Sequence, residues 1–160
     1  MYDFGLFCLG GVPLDIQKRA INNLLGQIEG AYHDVIVRFG LSDSVFDILY
    51  LLAQEEEGCS QNRLCTVGGM SKTTLNSAIR KMEREGLVTL EAGDGRTTRV
   101  FLTEAGRALQ QETAGRIMQI EEEIFSSWPE KDQRKLIELN QRFLASFIEK
   151  TAALGRRQDP

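Results

Sequence analysis

SQNRLCTVGGMSKTTLNSAIRKMEREGLV, running from Ser60 to Val88, decides the fold. Ser60 caps a short helix, Gly68-Gly69 breaks it, and Ser71 caps a second helix reaching Glu85, where Gly86 supplies the stop. Two helices joined by a tight glycine turn read as a helix-turn-helix. At 100° per residue, Leu75, Ala78, Ile79 and Met82 fall on one side of the second helix as a core stripe. Thr73, Ser77, Arg80 and Arg84 point away from that stripe, with Asn76 and Lys81 on the flanks. These side chains suit DNA. Arg makes bidentate pairs with guanine, Asn pairs with adenine, and Ser or Thr reaches base edges or phosphates. A merely solvated face is the plain alternative, but such faces are usually laced with Glu and Lys, and Lys72–Ile79 carries no acid.

The next stretch, LVTLEAGDGRTTRVFLTEAG, spans Leu87 to Gly106 and has the form of a hairpin turning at Ala92-Gly93-Asp94-Gly95. A hairpin directly after a reading helix is a wing. Arg96 then has a role, because narrow minor grooves concentrate negative potential and attract an inserted arginine. Asp94 is placed to pair with Arg96 and steady it, and Arg99 adds a second cation beyond the turn. The competing reading is an exposed turn pair of little energetic worth.

Working outward, Pro13 opens a helical pattern in which Ile16, Ala20, Leu24, Ile28, Ala31, Val35 and Phe39 recur at three- and four-residue spacing until Gly40. A second helix follows from about Ser42, and its VFDILYLLAQ is apolar almost all round, hence buried. After the hairpin, Thr103 caps a fifth helix bearing Leu109, Ile117, Ile120 and Ile124. Pro129 starts a sixth with Leu136, Ile137, Phe143, Leu144, Phe147 and Ile148. The predicted class is mainly α with a small β-hairpin wing. Long apolar stripes outside a compact centre need a partner, and a two-fold homodimer supplies one more completely than an intramolecular bundle does for so small a chain.

Composition is compatible with this. The chain has 160 residues, 42% of them hydrophobic, enough for one domain with a real core. No apolar run approaches the roughly 18 residues of a membrane span. Three cysteines, Cys8, Cys59 and Cys65, lack CxxC spacing and stand beside a single histidine, His33, so neither a metal site nor any other cofactor is expected, and reduced thiols in a cytosol are. No phosphate loop, Cys/His/Asp grouping or paired carboxylates support an enzyme. Net charge is -4, yet residues 71–99 hold six cations and four acids, +2 against -6 for the remainder. A basic region on an acidic body is still able to attract phosphate, because attraction follows local potential.

From Leu41 to Lys150 the sequence resembles the MarR (multiple antibiotic resistance regulator) family. The resemblance rests on the Ser-Lys-x-Thr opening of the reading helix, its E-x-x-G-L-V exit, and DGRTTRVFLTEAG, Asp94 to Gly106, which fits the wing pattern D-x-R-x-x-x-V-x-L-T-x-x-G. It implies a homodimeric winged-helix repressor or activator on a short inverted repeat of double-stranded DNA, with the first, fifth and sixth helices forming the dimer interface. Residues 41–104 would be the DNA-binding part, and 13–40 with 105–152 the dimerisation part, of a single domain spanning 1–160. By the same resemblance Arg96 is the minor-groove finger and Asp94 its partner. Thr73, Asn76, Ser77 and Arg80 face the major groove, and Lys72 and Arg84 the phosphates.

The chain departs from the family in two places. The loop before Asp94 is shorter than in many members, and Thr89-Leu90-Glu91 stands where many carry Arg or Lys, so a shallow salt dependence is expected. Family members often bind small aromatic or anionic effectors between the dimer region and the winged helix. Tyr32, His33, Phe46 and Tyr50 are the candidates here, with core packing as the alternative for each aromatic. Redox sensing through Cys8 is a further alternative, although that cysteine precedes the first helix. A winged-helix protein-interaction adaptor is another, because the fold serves both roles.

Overall fold

The computed structural model describes residues 14–55, 58–93, 97–152 and 154. Its elements are α1 (Leu14–Arg38), α2 (Asp43–Leu52), β1 (Cys59–Ser60), α3 (Gln61–Gly68), α4 (Lys72–Arg84), β2 (Val88–Ala92), β3 (Thr98–Leu102), α5 (Glu104–Glu112), α6 (Ala114–Ser126) and α7 (Glu130–Thr151). The chain is mainly α with one small antiparallel sheet, as the sequence predicts. No helix among the described residues is long and apolar enough to cross a membrane. Two compact units divide the chain, 1–114 and 115–160.

In the first unit the expected caps are formed. Ser60 Oγ accepts the Arg63 N–H at 3.2 Å, Ser71 Oγ that of Thr74 at 3.1 Å, and Thr103 Oγ1 that of Gly106 at 3.0 Å. Each removes one orphan donor from a helix start, worth about 1 kcal/mol. Gly69 and Gly86 take positive φ values of 63° and 70° after α3 and α4, a conformation that costs a residue with a Cβ more than it costs glycine. Behind α4 lies the core: Ile48 and Leu49 of α2, Leu64 of α3, Val88 and Val100 of the sheet, and the α4 stripe itself. α2 buries Val45, Phe46, Ile48, Leu49 and Leu52, in keeping with its nearly continuous apolar sequence.

The sheet has one strand more than the hairpin read from sequence. Its order is β1-β3-β2, with Val88 opposite Leu102 and Ala92 opposite Thr98 in the hairpin, and Cys59 opposite Val100 on the other edge. Cys59 is therefore a buried strand residue, and burial pushes its thiol up in pKa, away from the reactive thiolate. Gly58 precedes it with φ 74°, where a Cβ would strike the Phe101 ring.

The wing is closed onto the helices by a tight joint. Thr103 Oγ1 donates to the Gly86 carbonyl at 2.6 Å, and its N–H donates to that of Leu87 at 3.0 Å. Gly106, one turn into α5, lies so close to the Leu87 carbonyl that a Cβ there would overlap it. This contact gives the glycine ending the L-T-x-x-G pattern a packing reason.

The expected continuous fifth helix is two helices. Thr113 interrupts it with φ -121° and ψ -88°: its N–H shortens to the Gln110 carbonyl at 3.3 Å, while its hydroxyl donates to the Leu109 carbonyl at 2.7 Å. A side chain that occupies the i-4 carbonyl competes with the ladder and bends it. In the second unit, Pro129 precedes α7 as expected, and Gln133 Nε2 donates to the carbonyls of Phe125 and Trp128 across the turn. α7 buries no residue, although Leu136, Phe143, Leu144, Phe147 and Ile148 share one side of it.

Candidate nucleic-acid interface

α4 is an amphipathic helix fixed at both ends. Ser71 caps its start, Gly86 turns the chain out of it, and Leu75, Ala78, Ile79 and Met82 are buried beneath it. Full burial of the Leu, Ile and Met side chains stabilises by about 1.5–3 kcal/mol each, which locks the rotation of the helix about its axis. That rotation decides what the opposite side presents. Thr73, Asn76, Ser77, Arg80 and Arg84 line one shallow open groove along it, and Lys72 is exposed at the first turn. The first turn carries no acid, and both Lys81 and Arg84 lie in the last turn. Ion pairs seen elsewhere among the described residues, at His33, Arg63, Arg134 and Lys135, use none of the α4 cations. Five of the six α4 residues assigned to DNA from sequence thus meet in one groove, and Lys72 is exposed outside its lining.

On the flank facing α2 the sequence reading missed a neighbour. Ser42 and Ser44, at the start of α2, line a second open cleft together with Thr74, Ser77, Lys81 and Arg84. Only tertiary packing brings the two helices together here, so no local pattern announces it.

The wing is a two-stranded ribbon whose described part ends at Gly93 and resumes at Thr97, where the Gly93 N–H donates to the Thr97 carbonyl at 2.9 Å. Asp94 and Arg96 lie outside the described residues. Arg99 is half-buried and turned back onto its own sheet: Nη2 donates to the Gly58 carbonyl at 2.9 Å, and the guanidinium sits 5.9 Å from the Phe101 ring centre. The arginine read as a second wing cation thus also ties β3 to the residue before β1, 41 positions away in sequence.

The four effector candidates separate into different surroundings. Phe46 is in the core of α2, with the half-buried Tyr50 ring 6.0 Å from it. Tyr32 is exposed on α1. His33, also exposed, reaches from α1 to α2, where Nδ1 meets Asp43 Oδ1 at 2.9 Å and Oδ2 at 3.1 Å. This hydrogen bond and the Asp43 charge raise the His33 pKa above its usual 6.5, with a smaller push from Asp34. Cys8 lies outside the described residues, and Cys65 is a half-buried free thiol on α3.

Comparison with known proteins follows the same lines. Residues 39–97 match the model of the MarR family. No curated protein matches the sequence. Among solved structures, a MarR family regulator from Neisseria meningitidis superposes with a TM-score of 0.72 at 20% identity, covering 88% of this chain and 99% of that one. The M. tuberculosis regulator MosR in complex with DNA gives 0.52 at 27% identity, over 84% and 98%. CouR from Rhodococcus jostii, bound to p-coumaroyl-CoA, gives 0.61 at 21%, over 78% and 88%.

Proposed function

We propose that this chain, whose residues 39–97 match the MarR family model, is a transcription regulator that binds a pseudo-palindromic operator as a homodimer and acts as a ligand-responsive repressor. The observation that carries the reading is the polar groove of α4. A rotationally locked helix presents Thr73, Asn76, Ser77, Arg80 and Arg84 together, with no acid in its first turn. In the major groove such a helix reads bases through Arg80 and Asn76, with Thr73 and Ser77 beside them, and Lys72 and Arg84 lie nearer the phosphates. The DNA complex of a structural neighbour supports the same use of the fold.

Arg96, with Asp94 beside it, enters the minor groove at the wing tip, while Arg99 stiffens the wing base through Gly58. Residues 41–104 then form the DNA-binding part, and 13–40 and 105–152 the dimerisation part. The apolar residues left exposed on α1, α6 and α7 support that division, because they need a second copy of the chain to cover them. In the dimer two reading helices enter successive major grooves about 34 Å apart. A small aromatic or anionic effector that prefers one spacing of the reading heads shifts DNA affinity by its differential binding. Tyr32, Tyr50 and His33 are the residues for it, and the CouR complex supports this class of ligand.

Selection of bound sequences from random duplexes tests the reading. It should return an enriched inverted repeat, and Arg96→Ala should weaken binding to that repeat without changing the dimer. Selection that enriches no repeat would favour the adaptor reading. Repeating the selection with aromatic acids and their CoA thioesters tests the effector.

A further inference from the structure

The geometry points to a second DNA contact beside the reading helix: the cleft between the start of α2 and α4 seats a backbone phosphate, held by Lys81 with Ser42 and Ser44. This inference rests on the DNA-binding reading and adds residues from a helix outside the helix-turn-helix. Ser42, Ser44, Thr74, Ser77, Lys81 and Arg84 line the cleft together with Thr73, Val45 and Ala78, and no carboxylate lines it among the described residues. Hydroxyls that donate, flanked by two cations, are the chemistry of a phosphate seat.

Its position relative to the reading face fits the same occupant. Taking Thr73 as the centre of the exposed arc, Lys81 lies about 80° round the helix and Thr74 about 100°. When the centre of an arc faces base edges, side chains a quarter-turn away face the sugar–phosphate strand at the groove wall. Lys72 takes the opposite wall, about 100° round the other way. α2 brings Ser42 and Ser44 to the Lys81 side, so the added groups sit where a strand would pass.

The one acid between those serines is directed elsewhere. Asp43 is engaged by His33 of α1 at 2.9 Å, which keeps a carboxylate from facing the phosphate unopposed. Ser42 precedes α2 with an extended backbone but makes no side-chain cap, and its hydroxyl lies 3.4 Å from that of Ser44. Neither serine hydroxyl caps the helix, and only one of them donates in their mutual hydrogen bond, so the other O–H can be offered to a ligand.

Fluorescence anisotropy of a labelled selected duplex and of a random duplex, measured from 50 to 200 mM salt, tests the seat. Lys81→Gln should remove about two contacts, one from each protomer of the dimer, from the salt dependence of both duplexes, so that the fall in affinity across this range becomes about 12-fold smaller. Lys81→Arg should restore it. Ser44→Glu, which sets a like charge against the phosphate, should weaken both duplexes about tenfold at low salt. A Lys81→Gln variant with an unchanged salt slope overturns the seat, as does one that weakens only the selected duplex, because Lys81 would then read bases. If the unaltered protein binds neither duplex, the DNA-binding reading itself fails and the seat fails with it.

Discussion

α4 and α7 are both amphipathic, and the chain treats them in opposite ways. In α4 the apolar stripe is consumed by the chain's own core, with Leu75 1% exposed and Met82 0%, and the polar side is left over. In α7 the apolar side is left over: Phe143 is 60% exposed, Phe147 56%, and their rings stack with centres 6.0 Å apart. A polar face turned to water costs nothing, so what α4 presents can be chosen for a ligand. An apolar face turned to water forgoes about 25 cal/mol for each Å² left uncovered, so what α7 presents asks for another protein surface. On the proposed reading, α4 reads DNA and α7 joins two such readers.

The largest effect should come from spoiling the α7 side. Phe143→Asp should give a monomer in sedimentation velocity and lower affinity for the selected repeat by about 100-fold or more, because the second half-site is then no longer bound at high effective concentration. A dimer with unchanged affinity would break the contrast. On α4, Leu75→Ala should cost about 2–5 kcal/mol in chemical denaturation by opening a cavity under the reader. Arg80→Ala, on the opposite side of the same helix, should leave that denaturation midpoint in place yet cost about 1–3 kcal/mol in DNA binding and relax preference at one base pair.

The smallest effect concerns the His33–Asp43 clasp between α1 and α2. The folded pKa of His33 is raised above 6.5, so the clasp is fully present below that pH and is lost as pH climbs through the raised value. Proton NMR of the His33 ring should show a midpoint above 6.5, and Asp43→Asn should bring it back toward 6.5. Asp34 adds to the same shift, so a small remainder should persist in that variant.

Most of the winged helix was legible because its signals are local. Ser60, Ser71 and Thr103 cap helices through atoms three residues away, and Gly86 ends one through its own φ. What escaped reading is non-local or too short to carry a period. β1 has two residues, which no alternation can announce. The bond from Arg99 to the Gly58 carbonyl joins residues 41 apart, which no local pattern announces. Thr113 breaks a helix through its own hydroxyl, at a position where neither proline nor glycine marks the break. The site divides in the same way: the α4 groove follows from one helix wheel, whereas the Ser42–Ser44 flank depends on where α2 comes to rest.

Gly106 carries a mechanical consequence. α5 rests there directly on the Leu87 carbonyl, with no side chain between them to yield. Leu87 is the first residue past the turn that ends α4, and Thr103 ties the same turn from the other side. A side chain at position 106 would therefore have to push α5 off a backbone carbonyl that cannot swing aside, and the displacement would fall on the turn that ends α4.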